Sequence, residues 1–168
     1  MLKINDKNFF LELVADAVVQ THLAYYRRRR ASSQRDRWIN AIAKAAARLL
    51  EGDTDFLHWD AEKDILYFWS ADSNEIYEIG ESTCACPAFC RRKPLPCYHR
   101  AMRSLLKNYF DLLRKPGAEA PKIDFADAVF FDPELSVREK VNLLNASILE
   151  GRVELKRRVS ALERFAFL

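Results

Sequence analysis

The chain has 168 residues, 49% of them hydrophobic and 30% charged, with a formal net charge of +3. That length suits one domain, or one with an appendage, and three Trp, six Tyr and eleven Phe can fill a sizeable core without many staples. No stretch approaches the roughly 18 apolar residues of a membrane helix, which excludes a helical membrane protein and predicts a soluble, intracellular one.

The small net charge hides segregation. Residues 20–50 carry eight bases against Asp36 alone, residues 51–80 carry Lys63 against nine acids, and residues 81–116 carry eight bases against Glu81 and Asp111. Such blocks imply either a bipolar surface or mutual neutralisation after folding.

Residues 6–30 read as a helix. Asp6 can cap it, and Phe10, Leu13, Val14, Ala17, Val18 and Thr21 recur at helical intervals. It ends in Arg27, Arg28, Arg29 and Arg30, which spread around the girth of a helix and complement its C-terminal dipole. They form either a solvated helix end or a phosphate contact through at least two of the four. Ser32 and Ser33 can cap a second helix over 34–51, with Trp38, Ile39, Ile42, Ala46, Leu49 and Leu50 on one face and Gly52 as its stop. The short connection predicts an antiparallel pair, in which Arg35, Arg37, Lys44 and Arg48 add to the basic field. Nothing marks a recognition helix for a helix-turn-helix reader.

The acidic section reads as three strands: Phe56–Trp59, Asp64–Trp69 and Glu75–Ile79 are aromatic and β-branched runs separated by turn residues. His58 and the aromatics belong to the packing of this meander. An exposed Trp59 or Trp69 would instead suggest a stacking platform.

All four cysteines then fall between Cys84 and Cys97, and His99 stands two places beyond the last. Cys84 and Cys86 form a C-x-C pair, Cys97 and His99 a C-x-H pair, and ten residues lie between the pairs. Ligands one residue apart suit the end of an extended segment, where i and i+2 point the same way. Cys97 and His99 suit a loop-to-helix junction, with Pro96 blocking backward continuation. Zn2+ takes four such N and S ligands at tetrahedral corners. Two disulfides, or a Cys–His nucleophile, are the competing uses of these residues. The absence of a secretory leader and the crowding of the thiols weigh against both.

The stretch over about residues 56–114 resembles the SWIM-type zinc finger, on Cys84, Cys86, Cys97, His99, the Cys86-Pro87-Ala88-Phe89 run and Pro96-Cys97-Tyr98-His99. The resemblance implies these four as zinc ligands and a role in proteins that handle DNA. Cys90 has no place in that pattern; it is either a replacement ligand or a free thiol packed as a small apolar group.

Tyr98–Arg114 reads as a helix whose core stripe is Met102, Leu105, Leu106, Tyr109 and Leu113. Arg100, Arg103, Lys107 and Arg114 lie on another stripe, next to Arg91, Arg92 and Lys93 in the loop between the ligand pairs. These cations predict a phosphate-facing surface or, alternatively, a solvated one turned to the acidic section. Residues 115–121 have linker composition. Ser136 and Glu139 form a possible capping box for a tail helix with Val137, Val141, Leu144 and Ile148 on one face, and Leu155, Val159 and Leu162 continue the pattern. The tail either docks on the domain or offers a surface to a protein partner.

The expected fold is α+β: an N-terminal helical hairpin (1–52), a zinc-binding module of three antiparallel strands, knuckle and helix (53–115), and a linker with a helical tail (116–168). The expected function is non-catalytic binding of nucleic acid, DNA in the first instance, by Arg27–Arg30, Arg91, Arg92, Lys93, Arg100, Arg103 and Lys107. The alternative is a protein-interaction adaptor for a repair, recombination or transposition enzyme.

Overall fold

Asp6 starts the first helix as predicted: its Oδ1 accepts the backbone N–H of Phe9 at 2.9 Å, satisfying a donor that a helix start leaves unpaired. In the computed structural model, residues 4–26, 32–52, 57–70, 73–91, 96–115, 117 and 132–151 are described. Arg27–Arg30, Arg92, Lys93, most of the linker and everything beyond Gly151 lie outside them.

Helix α1 (Lys7–Tyr26) buries the six residues of its predicted stripe. Leu11, Ala15, Asp16 and Val19 on its flanks are buried as well, because three other helices pack against it. Helix α2 (Ser32–Glu51) begins two residues earlier than its pattern predicts, with both serines in the first turn. It stops at Gly52, whose φ of +103° is open to glycine and strained for other residues. Beyond its predicted stripe it buries Ala41, Ala43 and Ala45, small side chains that admit neighbours on several sides.

The strands β1 (Leu57–Asp60), β2 (Ile65–Ser70) and β3 (Glu75–Ile79) form an antiparallel sheet in that order. Leu57 pairs with Phe68, and Phe68 with Tyr77, so one face carries a buried aromatic row. In the β1–β2 turn, Asp60 Oδ1 accepts the N–H groups of Glu62 and Lys63, at 3.1 Å each. Asp64 then takes a φ of +53°, a left-handed conformation that Asp tolerates better than most residues.

A five-residue helix, α3 (Pro87–Arg91), lies where the sequence reads as loop. Its signal is Pro87 at the first helical position, where the missing N–H costs nothing. Helix α4 (Tyr98–Leu113) buries Met102, Leu105, Leu106 and Tyr109 as expected, but Leu112 replaces Leu113, which is half-exposed at the final turn. Helix α4 packs against α1 and α2 and approaches β3. The tail helix α5 (Val137–Leu149) has its capping box in place: Glu139 N–H donates to Ser136 Oγ, and Ser136 N–H to Glu139 Oε2. It docks on α1 and α2 through Val141, Leu144 and Ile148.

Two polar ties hold these layers. The fully buried Tyr109 points its hydroxyl at the chain start, where it accepts the N–H groups of Asn5 and Asp6 at 3.1 and 3.0 Å. His22 Nε2 of α1 meets Asn145 Oδ1 of α5 at 2.7 Å, and burial pushes the histidine below its usual range.

Tyr109→Phe removes the acceptor of two backbone donors on exposed residues and is expected to destabilise the fold by about 0.5–1.5 kcal/mol in urea unfolding. Unchanged stability would show the hydroxyl to be dispensable. The His22 effect has a definite sign. Its folded pKa lies below that of the unfolded chain, so its contribution is complete above about pH 6.5 and fades as acid charges the imidazole. His22→Gln should therefore lose less stability than the parent between neutral pH and the folded-state pKa; parallel pH profiles would contradict this.

Candidate metal centre

Cys84 is placed by a backbone turn at the end of β3. Gly80 N–H donates to Thr83 O at 3.1 Å, and Ala85 N–H returns to Glu78 O at 3.0 Å. Cys84 thereby forms an isolated antiparallel bridge with Ile79. A Cβ at Gly80 would stand 2.6 Å from Thr83 Oγ1, so the turn accepts only glycine without displacement. Cys86 closes the extended segment and starts α3, its carbonyl accepting the N–H groups of Phe89 and Cys90 at 3.1 and 3.0 Å. Cys97 is the extended N-cap of α4, with φ −124° and ψ 154°, and His99 lies in that helix's first turn.

The three thiols and the imidazole converge. Each offers a ligand atom within 4.8 Å of the others, and all four residues are buried. A tetrahedral shell with bonds of about 2.0–2.3 Å sets its corners about 3.3–3.8 Å apart, so small side-chain adjustments close this set on a metal ion. His99 Nδ1 lies 3.9 Å from Cys84 Sγ. Its ring is held by Phe68, Tyr77 and Tyr98, with centroids at 4.9, 5.4 and 3.9 Å. Its Nε2 is buried without a hydrogen-bond partner.

Hydrogen bonds to Cys86 and Cys97, then burial, push Cys84 up, while hydrogen bonds from Cys84 and Cys97 pull Cys86 down. A bound cation would offset the repulsion of three buried thiolates. Cys90 stands outside the cluster: its thiol is exposed and donates to the Cys84 and Ala85 carbonyls at 3.7 and 3.5 Å. The expectation of a packed thiol fails because short α3 turns that position outward and buries Phe89 instead.

The cations predicted to face phosphate separate into different environments. Arg100 donates to Glu81 O at 3.1 Å, and its guanidinium lies over the Trp38 and Phe89 rings at 5.2 and 5.5 Å. It thus joins α2, α3, α4 and the Cys84 turn. Burial works against its charge, while the nearby Cys97 and Cys84 sulfurs favour it. Arg103 is 4% exposed and bonded to the Asp64 carboxylate at 2.7 Å. Lys107 reaches Asp64 at 3.2 Å and Asp111 at 3.9 Å. Both cover Trp59, with cation-to-ring distances of 5.5 and 5.8 Å. Arg91 is exposed.

A second row of cations faces the metal centre from α2. Arg37, Lys44 and Arg48 line a groove of about 620 Å3, with Ser70, Ser73, Cys86, Cys97 and His99 also in its lining. Lys44 and Arg48 lie over the Tyr98 ring at 4.5 and 5.1 Å. The spacing of the three along one helix was visible in the sequence; their position above the cluster was not.

Comparison with protein-family models, curated proteins and solved structures finds no match for this chain. Among the described residues, no helix is long and apolar enough to cross a membrane.

The purified chain is expected to bind one thiophilic divalent ion, read by elemental analysis. Cys86→Ser should lower the metal content and the melting temperature together. Loss of the metal with unchanged melting would contradict a structural role. Arg100→Gln should retain the ligands yet release metal to a competing chelator more readily, by up to about tenfold, as is usual when groups around a metal site are removed.

Proposed function

We propose that this chain is a non-catalytic, SWIM-like zinc-finger protein that binds nucleic acid, DNA in the first instance, through basic surfaces that a structural Cys3His zinc site positions. The supporting observation is the closed ligand set beneath a row of cations: Cys84, Cys86, Cys97 and His99 are buried together, and Arg37, Lys44 and Arg48 line the groove above them. Four protein ligands leave zinc no position for water or substrate, which is the arrangement of a structural rather than a catalytic site. The resemblance read from the C-x-C and C-x-H pairs points the same way. Arg100, Arg103 and Lys107 support it less than the sequence suggests, since each already has a protein partner.

One observation favours the adaptor reading. On the outer face of the sheet, Ile76 is 64% exposed beside Trp69, its cross-strand neighbour. Trp69 is 39% exposed, as a stacking platform would need, but its pairing with Ile76 among Glu75 and Glu78 suits a protein partner better than a phosphate chain.

The test is fluorescence anisotropy of the zinc-loaded chain with labelled DNA across a salt series. Log affinity should fall steeply with log salt, and chelating the zinc should abolish binding. No binding at low salt would overturn the nucleic-acid reading and leave the adaptor.

A further inference from the structure

Arg37, Lys44 and Arg48 recur at i, i+7 and i+11 on α2, so they share one side of the helix. At about 1.5 Å per residue their row is about 16 Å long, enough for several phosphates of a stacked strand at about 3.4 Å each. Arg37 and Lys44 are exposed and have no acidic partner among the described residues. The described lining of the groove contains no carboxylate and includes Ser70 and Ser73. His99 also lines it; with Nδ1 towards Cys84, the buried and unpartnered Nε2 is the nitrogen left for another group.

We propose that this groove holds the backbone of a single-stranded nucleic acid, with phosphates along Arg37, Lys44 and Arg48, oxygens within reach of Ser70 and Ser73, and one acceptor on His99 Nε2. The assignment rests on the nucleic-acid reading above and names its surface and strand form. A single strand can enter a concave groove between a helix and a metal knuckle. A duplex presents a broad convex surface that cannot bring its backbone down to the imidazole. The Tyr98 ring is already covered by Lys44 and Arg48, so affinity comes from phosphates and tolerates any base sequence.

The experiment uses the full zinc-loaded chain with a labelled 12-nucleotide oligo-dT and a 12-base-pair duplex, each titrated across a salt series. The double variant R37Q/K44Q is compared with K63Q/K115Q, which removes the same charge elsewhere on the surface. R37Q/K44Q should keep its zinc and melting temperature, weaken oligo-dT binding by about tenfold, and flatten the salt slope by about 0.7 per charge removed. K63Q/K115Q should bind within about twofold of the parent. Undiminished binding by R37Q/K44Q would overturn the groove while leaving the nucleic-acid reading intact. A preference for the duplex would overturn the single-strand assignment alone. Failure of the parent chain to bind either probe would overturn both.

Discussion

Four ligand side chains brought within 4.8 Å of one another, inside a protein interior, are the constraint on which the rest of this structure depends. Three thiolates cannot share a buried volume unless a cation offsets their charge. Three local devices bring the four together: the Gly80 turn presents Cys84, the start of α3 presents Cys86, and the start of α4 presents both Cys97 and His99. A metal ion that closes this set would tie the last strand to the helical layer. The sheet approaches that layer through β3 beside the cluster, and the Asp64–Arg103 pair makes a second tie at the far side of β2.

Electrostatics divides the described basic residues of α2 and α4 into two populations. On α4, the acidic section reaches its neighbours directly: Asp64 alone accepts from Arg103 and Lys107, and its left-handed turn conformation is what aims it there. A guanidinium as buried as Arg103 needs such a partner, because an unpaired buried charge is costly. Arg100 is held by aromatic rings and a carbonyl close to the sulfurs, where its charge favours the metal centre more than any external ligand. On α2, Arg37 and Lys44 have no such acidic partner among the described residues. Among the described residues, Arg37 and Lys44 beside the Cys3His cluster are thus cations with capacity for an outside anion.

The helices show why some of this was legible and some was not. Asp6, the Ser136–Glu139 capping box and the stop at Gly52 act within a few residues, so their chemistry is local and readable. The three-stranded antiparallel order follows from short turns between aromatic and β-branched runs, and it came out as expected. Helix α3 was hidden because five residues hold too little periodicity to register, and Leu113 was misplaced because a helix end can rotate its last apolar residue outward. The extra buried flanks of α1 and α2 were invisible for another reason. Alanine and valine on a polar-looking face become core only when a further helix arrives to cover them.

Sequence by itself determined the identity and spacing of the Cys3His residues that could hold a metal, the three-stranded meander and the existence of the main helices, because these rest on contacts between near neighbours in the chain. Tertiary structure alone decided which cations are engaged and which face a groove. That outcome depends on pairs such as Asp64 with Arg103, or Lys44 with Tyr98, whose partners lie some 40 to 54 residues apart and meet only once the layers have packed.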